Sequence, residues 1–573
     1  MVKRLRSGLT LLLAATLFVM SACTAATPAA PTPAPATQAP APTAVAPTQA
    51  PAPTAAPTQA PAPTAAPTQP PAPTAAPTAA LPAGEIPENV GTYALPGDIP
   101  SLDPPAMLSY DTLVGFNVYE TLTWLGNDGK AQPVLATDWT PNADATEWDF
   151  HLRKDVKFHD GTPLTAKDVK ASLDRNIATG MVAYDFVGVE TISVVDDYTI
   201  HIKCSAPRNM PLILSAQYGM FIYSAAAAAK GKDFFAQGNT DAGTGPYMIQ
   251  GFEPGKDLVV TYYKDYRGGW KPGQFTKVIF QVVTDPTVRD QMIRSGQADL
   301  TYDLPFDSLA SLKTVPGLVE LPFQPSAILV AGFNMRFAPL NALKVRQALV
   351  DSFPYQQVQQ GVYQGLGDLP KGFGPNYLWN PPADFPSYTQ DLDKAKSLLA
   401  EAGKSGGFTL KLAVESGAQE PLDAAQLWQA ELAKLNIKLD IQQLDSSAFW
   451  DYAYKTDSSE YNLFMVVATG DVPSPWPWLV DYTTNPNGWL PFLGYNNPDF
   501  DKLVFDAWAK EATDPASAHD EWVAAQRNLY DNAASVFIMD VPYVFVYRDS
   551  LVGLVPSPTY VDVVKWYDLS RKQ

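Results

Sequence analysis

The order of hydrophobic and polar positions in the first third of the chain predicts two strands, a turn and a helix. Apolar residues alternate with polar ones over 148–152 and again over 156–158, which is the period of a strand. Gly161 then predicts a turn, because glycine accepts the positive φ that such turns need. Thr165 is followed three residues later by Asp168, a pattern that resembles a capping box and predicts a helix beginning there.

Further along, strand and helix periods alternate. The strand period is found at 258–263, 278–283, 408–414 and 437–444, and the helix period at 391–403 and 424–435. The second of these helices lies between two strands, and a strand–helix–strand order favours parallel pairing in an α/β fold.

The N-terminus has the pattern of an export signal. Basic residues precede an apolar run over 9–19, which is too short to span a bilayer. The run is followed by Met-Ser-Ala-Cys at 20–23, which resembles a bacterial lipobox and predicts a lipid on Cys23. The alternative is an ordinary signal peptide that happens to contain a cysteine. We therefore expect 1–23 to be a lipoprotein signal peptide that leaves the mature protein anchored to a membrane outside the cytoplasm.

Residues 24–84 carry no charge and consist mainly of proline, alanine, threonine and glutamine, with a ten-residue repeat visible at 51–59 and 61–69. Such a composition cannot bury a core, so we expect a solvated, largely polyproline II linker. Its threonines are candidate sites for O-linked glycans. The rest of the chain, 85–573, is too long for one core and predicts two or three lobes.

Charge and cysteine content exclude several classes of protein. The 573-residue chain has 40 basic and 59 acidic residues, a net charge of −19, which argues against nucleic acid as a partner. With Cys23 in the anchor, Cys204 has no partner for an intramolecular disulfide, and its alternating surroundings predict a small buried residue. The four histidines are not spaced as metal ligands, so we expect no metal and no cofactor. His159 beside Asp160 is interpreted as part of the scaffold.

Several segments in one order carry a resemblance to a known family. In chain order they are 132–139, Glu147–Leu173, 243–247, 287–300, 333–349, 393–403 and 494–503. The most specific is Glu147–Leu173, which contains Phe-His-Asp-Gly-Thr-Pro-Leu-Thr. Together they resemble the family 5 extracellular solute-binding proteins of ABC importers, which include oligopeptide-, dipeptide- and nickel-binding proteins.

The resemblance implies an α/β, two-lobed periplasmic-binding-protein-like fold (type II, cluster C) with an inserted subdomain and a hinge. Lobe I would combine 85–130, 241–329 and 541–573, the inserted subdomain would cover 131–240, and lobe II would cover 330–540. Closure about the hinge would bury a ligand between the lobes. The implied partners are a solute and the permease subunits of an importer, and the receptor itself is expected to be a monomer.

Asp471 is the position that bears most on ligand class. In peptide-binding members an aspartate here pairs with the α-ammonium of the peptide. A buried carboxylate needs a cationic partner or several donors. The alternative is that Asp471 caps a turn ahead of Pro473. Asn334 and Tyr110 are further expected ligand contacts.

Tryptophans near these segments are the other candidates for ligand contact. Trp476, Trp478 and Trp489 follow Asp471, and Trp379 lies in a loop expected near the cleft. Exposed aromatic rings can stack on sugars or on flat apolar side chains. The alternative for any one of them is a core position.

The sequence leaves two ligand classes open for the receptor, a peptide or an oligosaccharide, and the peptide is preferred. A secreted hydrolase is disfavoured because no nucleophile–base or metal-binding motif is present, and we expect no enzyme. A purely structural surface protein, suggested by the linker, is disfavoured by the ordered family segments.

Overall fold

The structure is a computed structural model. It describes residues 88–572, except 180, 181, 183, 454, 456–458 and 485–489. The signal peptide with Cys23, the whole of the linker and Trp489 lie outside the described residues. In the part of the chain that is described, no helix is both long enough and apolar enough to cross a membrane.

A mixed seven-stranded sheet is the centre of lobe I. Its strands run, from one edge to the other, Leu318–Phe323, Tyr543–Arg548, Leu300–Thr301, Val90–Leu95, Lys277–Val282, Asp257–Tyr262 and Tyr247–Glu253. Val90–Leu95 pairs in parallel with both of its neighbours. Tyr93 and Leu95 lie in one core, while Ala94 packs with Met292 and Ile293 on the opposite face. Successive side chains of a strand point to opposite faces, and Tyr93, Ala94 and Leu95 are all buried, so the sheet is covered on both faces at this strand.

A five-stranded sheet is the centre of lobe II. Its order is Ile437–Leu444, Phe408–Glu415, Leu463–Thr469, Ala327–Phe333 and Ser535–Asp540. The strands Phe408–Glu415 and Ile437–Leu444 are parallel over eight residue pairs, from Phe408 opposite Ile437 to Glu415 opposite Leu444. The predicted parallel pairing is thus confirmed. All seven residues of Ala327–Phe333 are buried, as expected for a strand covered on both faces.

A four-stranded antiparallel sheet lies between lobe I strands in the sequence. Its strands are Ala136–Pro141, Glu147–Leu152, Thr199–Cys204 and Val189–Asp196, in that order. The strand over 148–152 and the helix after Thr165 are confirmed, and the backbone N–H of Thr165 donates to Asp168 Oδ2 at 2.9 Å. The predicted strand over 156–158 is wrong, because only an isolated bridge from Lys157 to Pro163 forms there. This sheet falls within the range expected for the inserted subdomain, whose boundaries stay a prediction.

Two further pairs of short strands complete the sheets, namely Thr123–Leu125 with Ala131–Pro133 and Leu551–Val552 with Ser570–Arg571. The α-helices are Tyr110–Val118, Ala166–Thr179, Met210–Ile213, Ala225–Ala228, Lys232–Phe235, Pro286–Ser295, Phe306–Leu312, Leu343–Ser352, Tyr355–Gln357, Asn376–Trp379, Leu392–Glu401, Gln419–Ala433, Ser446–Ala453, Trp476–Leu479, Pro498–Glu511 and Pro515–Asp531. Short 3₁₀ turns occur at Pro104–Ala106, Val480–Tyr482, Pro491–Leu493 and Trp566–Asp568, and a π-helical turn at Val358–Val362.

Two predicted scaffold residues lie where the pattern indicated. Cys204 is buried at the end of its strand. The side chain of His159 is 5% exposed: its Nδ1 contacts Asp241, and its Nε2 lies 2.9 Å from the carbonyl oxygen of Gly245. Both ring nitrogens thus hold the segment Glu147–Leu173 against the chain at 241–245, which leads back into lobe I.

Candidate functional site

A cavity of about 670 Å³ lies between the two lobes. We call it the interlobe cavity. Its lining includes Tyr110, Arg289, Tyr302, Asp303, Tyr543 and Asp562 from lobe I, Glu415, Glu420, Val467 and Thr469 from lobe II, and Gln217 and Tyr218 from the range expected for the inserted subdomain. Its volume lies within the range of pockets that hold small-molecule ligands.

Asp303 lies two residues after the end of the lobe I strand Leu300–Thr301 and contributes a carboxyl group to the cavity lining. Its side chain is 53% exposed, yet the surrounding protein raises its pKa by desolvation. The buried guanidinium of Arg289 lies 3.7 Å from Asp303 Oδ2 and also donates to the carbonyl oxygens of Val283 and Thr284. With φ at 56°, Asp303 adopts a left-handed conformation that non-glycine residues rarely take, as often happens at ligand sites.

Asp562 brings a second carboxyl group to the cavity from the C-terminal segment. Burial raises its pKa to about 8, an effect that Asp303 reinforces, although the Tyr302 hydroxyl donates to its Oδ2 at 2.5 Å. Its φ of 59° is also left-handed. Lobe I therefore presents two backbone-constrained carboxyl groups to the same space.

Glu420 faces these groups from lobe II, in the first turn of Gln419–Ala433. Burial raises its pKa to about 7, and Asp303 contributes to the shift. No lysine or arginine in the described ranges forms an ion pair with Glu420. Carboxyl groups from both lobes thus meet in the cavity with little positive charge near them. A ligand that carries a positive charge is favoured there, because it stabilises their ionised forms.

A smaller space of about 80 Å³ opens from the interlobe cavity, and we call it the side pocket. It shares six residues with the larger cavity: Tyr302, Asp303, Glu420, Pro421, Val467 and Tyr543. Leu304, Phe306, Tyr363, Val541, Pro542 and Val544 complete its wall.

Of the expected ligand contacts that the structure describes, only Tyr110 lines the interlobe cavity. Asn334 is buried at the end of a lobe II strand, where its backbone N–H donates to the carbonyl oxygen of Asn462 at 2.9 Å. Trp379 is buried against Phe385, with ring centroids 4.9 Å apart. Neither residue is part of the cavity lining.

Asp471 is not a lining residue either. It is 1% exposed, and the hydroxyl of Tyr184 donates to its Oδ2 at 2.6 Å. Asp185 lies beside it, also fully buried, and desolvation raises the pKa of both carboxyl groups, with Asp471 adding to the shift of Asp185. No lysine or arginine among the described residues pairs with this Asp185–Asp471 pair. Asp471 therefore joins lobe II to the segment around 184, and its role as the ammonium partner of a ligand stays a prediction.

Trp476 and Trp478 are core residues of lobe II. Trp476 has no exposed surface and stacks on Trp508, with ring centroids 3.4 Å apart and an interplanar angle of 12°. Trp478 is 2% exposed and packs edge-on against Phe373 at 5.4 Å. Neither indole is available to stack on a ligand in this conformation.

Asp303, Glu420, Asp562 and Tyr363 were not anticipated from the sequence. Asp303 carried one usable signal, a carboxylate placed just after the end of a strand, where α/β folds often place ligand contacts. Glu420 and Asp562 gave no such signal. The chain has 59 acidic residues, and nothing in the sequence sets these two apart or shows that they meet. In the part of the chain that is described, no group of three or more histidine, cysteine, aspartate or glutamate side chains could hold a metal ion.

Comparison with known proteins identifies the family. The profile of the bacterial extracellular solute-binding proteins, family 5, matches residues 130–489. A probable D,D-dipeptide-binding periplasmic protein of Escherichia coli is 27% identical over 501 residues, which cover 85% of this chain and 95% of the relative.

Solved structures share the fold. A periplasmic binding protein of Helicobacter pylori in complex with the peptide STSA has a TM-score of 0.75 at 21% identity, covering 85% of this chain and 98% of that one. An Agrobacterium protein in complex with agropinic acid gives 0.75 at 24% identity, with 85% and 99% covered. The two-lobed fold with mixed α/β content is thus confirmed. The chain belongs to the family 5 bacterial extracellular solute-binding proteins, whose members are transport receptors and not enzymes.

Proposed function

We propose that this solute-binding protein is the lipid-anchored receptor of an ABC importer, and that it captures an oligo- or dipeptide in the interlobe cavity. The observation that carries the peptide proposal is the lining of that cavity. Carboxyl groups from both lobes, Asp303, Asp562 and Glu420, surround one space. Every free peptide brings an ammonium group that such a lining can pair with, whereas an oligosaccharide without amino groups brings none.

The relatives support the same choice. Among proteins similar to this chain are dipeptide-binding and glutathione-binding proteins and a receptor that holds the peptide STSA. The tryptophans that would favour an oligosaccharide do not support it, since Trp379, Trp476 and Trp478 are buried away from the cavity.

A thermal-shift screen tests the ligand class. Di- to pentapeptides and, separately, cello- and xylo-oligosaccharides are added to the purified protein. A ligand at 100 times its dissociation constant should add about 2.7 kcal/mol to the free energy of unfolding and raise the melting temperature. Peptides should do this. A shift with the sugars and none with the peptides would contradict the proposal.

The lipid anchor is tested at its attachment site. Cys23→Ala should move the protein from the membrane fraction into the soluble extracytoplasmic fraction, because a single residue carries the proposed lipid. Cys204→Ala is the matched control, since it removes the only other cysteine of the chain and should leave the protein with the membrane. Equal membrane recovery of Cys23→Ala and the unaltered protein would rule out this anchor.

A further inference from the structure

The side pocket has a wall of two kinds. Asp303 and Glu420 supply carboxyl groups from opposite lobes, and Tyr363 supplies a hydroxyl group. Phe306, Val467 and others supply apolar surface between them. Such a combination suits a group that is charged at its tip and aliphatic along its stem, because the stem can pack on the apolar wall while the tip meets the carboxylates.

Tyr363 is an independent sign that a polar group belongs in this space. The side chain has no exposed surface, and among the described residues its hydroxyl has no hydrogen-bond partner. Tyr363 lines the same pocket as the two carboxyl groups of Asp303 and Glu420. A buried hydroxyl without a partner costs free energy, so a ligand atom that bonds to it is favoured.

The charges around the side pocket leave one negative charge over. When both are ionised, Asp303 and Glu420 contribute two negative charges, and Arg289, 3.7 Å from Asp303 Oδ2, contributes one positive charge. Glu420 has no ion-pair partner among the described residues. A ligand group with one positive charge would bring the total charge of Asp303, Glu420 and Arg289 to zero. A ligand carboxylate or an uncharged ligand group would leave a net negative charge in the side pocket.

We propose that the side pocket binds the terminal ammonium group of a lysine-like side chain on the captured peptide. The ammonium lies between Asp303 and Glu420 with its third N–H on the Tyr363 hydroxyl, and the methylene stem packs on Phe306 and Val467. A space of about 80 Å³ holds only a few water-sized groups, which suits a compact ammonium better than the broad plane of a guanidinium. This inference rests on the proposed function and adds the side-chain class that the receptor selects.

Matched tripeptides test the inference by calorimetry. Lysine is placed at each position of trialanine in turn, and norleucine, which has the same stem without the charge, at the same positions. At one position or more, lysine should bind at least tenfold more tightly than norleucine. Equal affinity of the lysine and norleucine peptides at all three positions would overturn the inference and leave peptide capture intact. Arginine peptides that bind more tightly than the lysine peptides would also overturn it.

Two charge-neutralising variants locate the effect. Glu420→Gln should abolish the preference for lysine over norleucine while norleucine peptides still bind. Asp423→Asn removes the same charge one turn further along the helix, outside both cavities, and should keep the preference. A preference that survives in Glu420→Gln would contradict the assignment. Circular dichroism verifies that both variants are folded.

The failure of peptide capture itself would be visible separately. If neither peptide set binds, 1,5-diaminopentane, which carries the same ammonium and stem, is titrated into the protein. Its binding, lost in Glu420→Gln and kept in Asp423→Asn, would support the side pocket while the peptide proposal falls. The absence of any binding by this diamine would overturn both.

Discussion

Trp476→Ala should lower the free energy of unfolding by about 3–5 kcal/mol, the usual cost of removing a fully buried aromatic side chain. The indole has no exposed surface, and its stack on Trp508 at 3.4 Å would be lost with it. Trp508 is in turn covered by the guanidinium of Arg208, 4.0 Å from its ring centroid. The substitution therefore disturbs a contact that reaches from lobe II to the segment around 208. Urea denaturation measures the loss.

Trp476→Phe is the matched control, because it keeps a ring in the same space and should cost clearly less than the alanine substitution. Peptide affinity, measured below the unfolding transition, should change little in either variant. An unaltered stability of Trp476→Ala combined with weakened peptide binding would contradict the core position and return Trp476 to the ligand site.

Asp185→Asn should make the protein more stable at neutral pH and remove part of its pH dependence. Burial raises the pKa of Asp185 well above its usual range, and Asp471 beside it adds to the shift. The folded chain therefore keeps a proton that the unfolded chain releases above about pH 4. The contribution of protonated Asp185 to the free energy of unfolding is therefore fully present below about pH 4. It is lost by about 1.4 kcal/mol per pH unit as the pH rises towards the folded pKa.

The difference in unfolding free energy between Asp185→Asn and the unaltered protein should therefore grow between pH 4 and pH 7, by roughly 2–4 kcal/mol in favour of the variant. The asparagine amide can donate to Asp471, which then also accepts from Tyr184. Asp197→Asn removes an exposed carboxyl group from the same subdomain and should show a difference near zero at each pH. A constant difference for Asp185→Asn across this range would mean that Asp185 keeps no proton on folding.

Local pattern was sufficient for much of the fold. The strand predicted at 437–444 has the observed bounds Ile437–Leu444, and the helix predicted over 391–403 is found as Leu392–Glu401, with Asp391 capping its start. The helix predicted from 424 begins five residues earlier, at Gln419. Pro421 lies in its first turn, where proline is tolerated because its missing N–H would have no partner within the helix.

The candidate site was predictable only at Tyr110, and the reason is geometric. Asp303, Glu420 and Asp562 meet because three distant segments cross at one cleft, and no periodicity reports such a crossing. The tryptophans illustrate the converse. A cluster such as Trp476-Pro-Trp478 has the same composition whether the rings point into a core or into a cleft, and only the packing around Trp508 and Phe373 distinguishes the two.

Asp303 and Glu420 lie on different lobes, so the repulsion between them would contribute to the free energy of closing an empty receptor. Bringing two like charges together across a shrinking gap costs electrostatic energy, unless a cation arrives or a carboxylate is neutralised. A filled receptor does not bear this cost. We expect occupancy and closure to be linked in part through this charge, which would give an importer permease a way to discriminate loaded from empty receptors without any contact to the solute.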